Sequence, residues 1–80
     1  PQAPVHFLVI PKAHIASVAG VNEENSAVVA HIFEVIAKLT KEKGIESYRV
    51  VSNIGEQAGQ SVPHLHFHVL AGRDMTWPPG

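Results

Sequence analysis

Between Pro63 and Leu70 the chain alternates without a break, with His64, His66 and His68 separated by Leu65, Phe67 and Val69. A repeat of two sends successive side chains to opposite faces of an extended backbone, so the stretch predicts a β-strand over residues 64 to 70. One face is imidazole and the other is hydrocarbon. The hydrocarbon face needs a core to press into, and the opposite face would present three rings, roughly 7 Å apart, to a cleft. A lone histidine in a strand is ordinarily a half-buried, hydrogen-bonded structural residue. Three on one face add no packing that valine or threonine would not supply, and any two that take up protons together repel, so the row points to chemistry.

An 80-residue chain makes one domain whose core is marginal, since chains this short bury only about 60% of their unfolded surface. Further burial against a second subunit is therefore expected. The formal net charge is −1 and like charges form no block, which leaves no footprint for nucleic acid or for an anionic membrane. The absence of cysteine excludes a disulfide framework and any Cys-based zinc site, and no apolar run approaches the roughly 20 residues of a membrane span. The start carries none of the regions of a signal peptide, so the expected location is the cytoplasm, with the nucleus an alternative in a eukaryotic cell.

The remaining elements follow from their own patterns. Val5 to Ile10 is a near-continuous apolar run that ends at Pro11, which predicts a strand over 5 to 10 covered on both faces. His6 shares the face of Leu8 and Ile10, either as a buried, satisfied histidine, the commoner case, or as a supporting residue behind a site. Lys12 to Gly20 holds at most a single helical turn. Asn22 is placed to cap a helix with Glu23 and Glu24 in its first turn. Val28, Ile32, Val35, Ile36 and Leu39 then recur at three and four, Val29 and Phe33 widen the stripe, and Gly44 ends it. The expectation is a long amphipathic helix over 23 to 43, with Glu34, Lys38 and Glu42 on its solvated side and His31 exposed beside them. Tyr48, Val50 and Val51 predict a strand over 47 to 53. The opening Pro1 to Pro4 cannot be helical, and the tail from Ala71 to Gly80 is irregular by composition, with Trp77 as a packing plug or a contact for a partner or ligand. The fold class is α+β, a single domain with an antiparallel sheet of strands 5 to 10, 47 to 53 and 64 to 70 and one long helix across a face.

Gly55 to Val62 links two of these strands and holds two glycines and Ser61. Such a loop can turn backbone N–H groups towards an anion. A metal is a poorer use of the histidines: His64 and His68 would stand about 13 Å apart along a strand, too far to share one zinc ion. No metal and no cofactor are expected. A neutral imidazole, by contrast, can attack phosphorus while neighbouring rings and loop N–H groups stabilise the phosphoryl oxygens. The alternative is a non-catalytic module that senses nucleotide or binds zinc.

The residues His64-Leu-His-Phe-His-Val-Leu70 resemble the signature of the histidine triad family of nucleotide hydrolases and transferases, and Ala58-Gly-Gln-Ser-Val62 resembles its phosphate loop. His6-Phe-Leu-Val-Ile-Pro-Lys12 and Gly72-Arg-Asp-Met-Thr-Trp-Pro-Pro-Gly80 are similar to the Hint branch, the purine nucleoside phosphoramidases. The resemblance implies that His66 is the nucleophile, that the backbone at His64 orients its ring, that His68 contacts the phosphate, and that Ser61 sits beside the leaving amine. It implies phosphate or nucleotide contacts from Asn53, Gly59, Gln60, Ser61 and the Phe67 backbone, with His6 near the site and Trp77 near a partner subunit's cleft. A purine nucleoside monophosphate or phosphoramidate is the implied ligand, hydrolysed to AMP and an amine, in a homodimer paired through residues 23 to 53. Family members carry a further N-terminal segment whose acidic residues bind the ribose, and this chain is expected to be a piece that starts after it.

Overall fold

The structure is a computed structural model and describes residues 3–79. Pro1, Gln2 and Gly80, assigned above to the non-helical opening and the irregular tail, lie outside the described residues.

Among the described residues, three strands and one α-helix carry the fold: β1 (Val5–Val9), α1 (Ser26–Glu42), β2 (Arg49–Val51) and β3 (Phe67–Ala71). All pairings are antiparallel in the order β1-β3-β2, so the histidine-bearing strand is the central one. Phe7 and Val50 both face Val69, and Leu8 and Val51 both face His68. Since directly opposed residues share a face, this register collects Phe7, Val50 and Val69 on one side and Leu8, Val51 and His68 on the other. The helix covers the first side. Ile32 and Ile36 of α1 join Ile15, Leu65, Phe67 and Val69 in a single buried cluster, and Phe33 meets Phe67 edge to face at 5.3 Å between ring centres.

The alternation outlasts the ladder. Leu65, Phe67, Val69 and Ala71 are buried, while His64, His66, His68 and Leu70 are half-buried between them. The paired strand nevertheless begins at Phe67, three residues later than predicted, because the preceding backbone bonds to loops. His64 N–H donates to Val62 O at 2.8 Å and Leu65 N–H to Ile15 O at 2.6 Å. The strand predicted over 47 to 53 shrinks to three residues for a related reason. After Val51 the chain is held by the Ser52 hydroxyl, which donates to His66 O at 2.8 Å.

Two other expectations are corrected. The helix starts at Ser26 with Asn25 at its cap, and Glu23 and Glu24 lie in the turn before it. There Asn22 Oδ1 accepts from the N–H groups of Glu24 and Asn25, and Asn25 Oδ1 accepts from Asn22 N–H. Two asparagines thus satisfy donors in a turn where one was expected to cap a longer helix. Its C-terminus behaves as predicted: Gly44 takes φ +70°, and Ile45 N–H reaches Thr40 O while Gly44 N–H reaches Lys41 O, the pair of bonds that closes a helix through a left-handed residue. The second correction concerns β1, which is covered on one face only. With the helix on the other side, Leu8 and the adjoining Ile10 remain 49% and 53% exposed. Val18–Gly20 is a single 3-10 turn, as the short pattern there allowed. No helix among the described residues is long and apolar enough to cross a membrane.

Candidate active site

The uncovered face of the sheet carries the histidines, and tertiary structure rather than strand spacing decides how they meet. His66 and His68 lie 5.1 Å apart between ring centres, and His6, across the β1–β3 ladder, lies 5.1 Å from His68. His6 Nε2 and His68 Nδ1 are 2.8 Å apart. His6, whose sequence position allowed either a buried structural histidine or a residue behind a site, is thus bonded to the histidine row. His64 turns away from this group. Its Nε2–H donates to Pro11 O at 3.0 Å, and its ring meets the edge of His14 at 5.6 Å. The three rings of the sequence motif thus separate into the pair His66 and His68, of which His68 meets His6, and one that braces the loop after β1.

His66 is the most constrained of them. Its Nδ1 lies 2.7 Å from His64 O, and because a carbonyl can only accept, Nδ1 carries the proton. In the neutral ring Nε2 then keeps its lone pair. The carbonyl that orients the ring is itself placed by His64, whose N–H and side chain are both anchored, and the His66 carbonyl is held by Ser52. A nitrogen with a free lone pair is left at the end of a ring that cannot readily turn.

The His6–His68 contact has a consequence for protonation. One nitrogen must donate and the other accept, so charging both rings would set two N–H groups against each other. Burial, and then the neighbouring imidazoles of His66 and His6, hold His68 below its ordinary value of 6.5. The folded ring binds its proton less tightly than the unfolded one, so the unfolded chain holds more protons between the two values and stability falls as the pH is lowered through that window. An NMR titration should find the His68 midpoint below 6.5. It should move upward in His66→Asn; an unchanged midpoint would show that the rings do not sense each other.

The loop residues are brought to the same end of the sheet. Gly59 takes φ +94°, and a β-carbon there would lie 3.6 Å from Asn53 Nδ2, so Gly59 and Asn53 are neighbours. The Asn53 amide and the exposed Ser61 hydroxyl make no hydrogen bond among the described residues. Gln60 is different, for its side chain already bonds to Gly55, Ala16 and Val62. Phe67 points its ring into the core, which leaves only its backbone for the site face. Trp77 is 82% exposed and lines a shallow cavity with Arg49, Val51, Asn53 and Pro79. The tail is tied there by Arg49, whose guanidinium donates to Thr76 O at 3.0 Å.

A cavity of about 300 Å³ is lined by Leu8, Ile10, Val62, His64 and His66. A larger groove, about 660 Å³, runs between Val9–Ala13 and α1 but contains none of the triad histidines. Convergent polar groups locate the site better than volume does. Among the described residues no group of three or more His, Cys, Asp or Glu is placed to hold one metal ion. Pro11, His14, Ala16 and Ser52 escaped the sequence reading. Two of them act through carbonyls, which every residue possesses and no motif records, and Ser52 and His14 acquire partners only through long-range packing.

Comparison with known proteins gives this geometry its relatives. The family model described as "Scavenger mRNA decapping enzyme C-term binding" matches residues 1–77. An uncharacterised HIT-like protein of Synechococcus elongatus is 46% identical, over all of this chain and 71% of its own length. Among solved structures, a HIT family hydrolase of Legionella pneumophila superposes with a TM-score of 0.94 at 48% identity, covering 100% of this chain and 73% of that one. A HIT family hydrolase of Clostridium thermocellum does so at 0.90 and 46% identity, covering 95% and 68%. A family model across nearly the whole chain, and relatives that share both its sequence and its sheet, establish that this protein belongs to the histidine triad (HIT) family.

Proposed function

We propose that the chain hydrolyses purine nucleoside 5'-phosphoramidates, releasing AMP and an amine. The observation that carries this reading is the bond from His66 Nδ1–H to His64 O, which leaves Nε2 as an oriented nucleophile. His66 Nε2 attacks phosphorus, the phosphorus–nitrogen bond breaks, and the departing nitrogen takes a proton from solvent to leave as the amine. Water then attacks the nucleotidyl-histidine, yielding AMP and restoring the neutral ring. With His6 Nε2–H donating to His68 Nδ1, the Nε2–H of His68 is available to a phosphoryl oxygen. The names of the Legionella and Clostridium relatives support a hydrolase. The Trp77-Pro-Pro ending and the His6-to-Lys12 run favour a phosphoramidate as its substrate. Single-turnover reaction with adenosine 5'-monophosphoramidate, quenched and digested, should add one AMP to the peptide containing His66. Turnover without any such adduct would rule out the two-step route.

We also infer a homodimer, paired through residues 23 to 53. Phe33 and Tyr48 are 47% and 39% exposed, and among the described residues β2, at the sheet edge, has one row of backbone groups without a strand partner. Such an edge beside an apolar helix face favours pairing with a second copy. Sedimentation at micromolar concentration is expected to give a dimer, weakened by Phe33→Glu. A folded, monodisperse monomer would end this reading.

A further inference from the structure

We propose that Gln60 is a positioning residue, which locks the anion loop in place relative to His66 and does not itself bind the phosphate. The proposal rests on the phosphoryl-transfer reading above. Gln60 can donate three hydrogen bonds, one from its backbone and two from its side-chain amide. All three are in use. Its backbone N–H donates to Gly55 O at 3.0 Å, and Nε2 donates to Ala16 O at 2.7 Å and Val62 O at 3.1 Å. The side-chain oxygen accepts from Gly55 N–H at 2.9 Å. Gly55 and Gln60 are therefore bonded reciprocally, closing the loop on itself across the 3-10 turn of Glu56–Ala58.

The outer bonds give the clamp its reach. Val62 O also accepts the N–H of His64, the residue whose carbonyl orients the His66 ring, and Val62 lines the cavity that contains His66. Ala16 lies in the segment after β1 that receives His64 at Pro11 O and Leu65 N–H at Ile15 O. One amide thus ties the loop, the entry to the histidine strand and the segment bracing it into a single unit. To bind phosphate, Gln60 would have to release one of these partners. Recognition then falls to groups whose position Gln60 sets, Ser61 foremost.

Two variants test this in the full chain. Gln60→Ala removes every side-chain bond, whereas Gln60→Glu keeps the acceptor for Gly55 N–H and loses both donations. With adenosine 5'-monophosphoramidate, kcat should fall about 10- to 100-fold in both, the cost of a misplacement of about an ångström. KM should change by less than about threefold, because ground-state phosphate contacts remain. The amide exchange of Gly55, followed by NMR, should accelerate in Gln60→Ala and stay near wild type in Gln60→Glu. Wild-type kcat in Gln60→Ala, or a rise in KM that accounts for the whole loss, would overturn the proposal in favour of no role or of direct phosphate binding. If the wild-type protein shows no turnover, the hydrolase reading fails separately. Gly55 exchange and an AMP titration of the Gln60 side-chain resonances then decide, and either unchanged exchange in Gln60→Ala or a large shift on AMP binding ends the proposal.

Discussion

Replacing His66 with alanine is expected to lower kcat for adenosine 5'-monophosphoramidate by roughly 10⁴-fold or more, the scale on which enzymes lose a covalent nucleophile. The loss should fall on kcat rather than on KM, since the ring is needed for bond formation while the neighbouring groups still hold the ground state. The AMP adduct should vanish with it. His31→Ala supplies the control: that histidine is exposed on α1, where its Nδ1 lies 3.7 Å from a carboxylate oxygen of the similarly exposed Glu34, so its removal should leave kcat within twofold. Measurement of both variants by initial rates decides the matter. Unchanged turnover in His66→Ala would place the chemistry on another residue.

The largest effect on stability is expected from Ile36→Ala. Ile36 is 2% exposed and lies in the cluster that joins α1 to Leu65, Phe67 and Val69. Truncating a buried isoleucine costs about 2 to 5 kcal/mol in lost transfer energy and residual cavity. A domain of this length has only about 4 to 12 kcal/mol in all, so a large part of the population is expected to unfold near body temperature. Urea denaturation followed by circular dichroism should show the midpoint falling with little change in slope. Lys38→Ala, on the exposed side of the same helix, should stay within about 0.5 kcal/mol of wild type. Similar losses from both variants would mean that the helix does not anchor the core through Ile36.

Much of the architecture was legible because it depends on period. The alternation at 64 to 69 and the three-and-four spacing from Val28 to Leu39 each specify one apolar face, and two such faces can be buried only against each other. The left-handed closure at Gly44 was equally local, since glycine alone takes that conformation at little cost. Element ends were less legible. Whether residues 64 to 66 join the ladder depends on Val62, Ile15 and Ser52 as competing hydrogen-bond partners, none of which is set by the strand's own composition.

The site divides along the same line. Its residue types were present in the sequence: imidazoles on one face, a glycine-bearing loop ahead of them, and His6 on the face of Leu8 and Ile10 in another strand. Which rings meet was decided only by the register that brings β1 beside β3, pairing His6 with His68 and leaving His64 to Pro11 and His14. The same folding engages Gln60 with two backbone carbonyls and one N–H while leaving Ser61 exposed. Side-chain identity determines what chemistry a chain can offer, because periodicity is written in the residues themselves. Hydrogen bonding to backbone carbonyls decides how each ring is turned, because every residue carries that acceptor and only the fold selects among them.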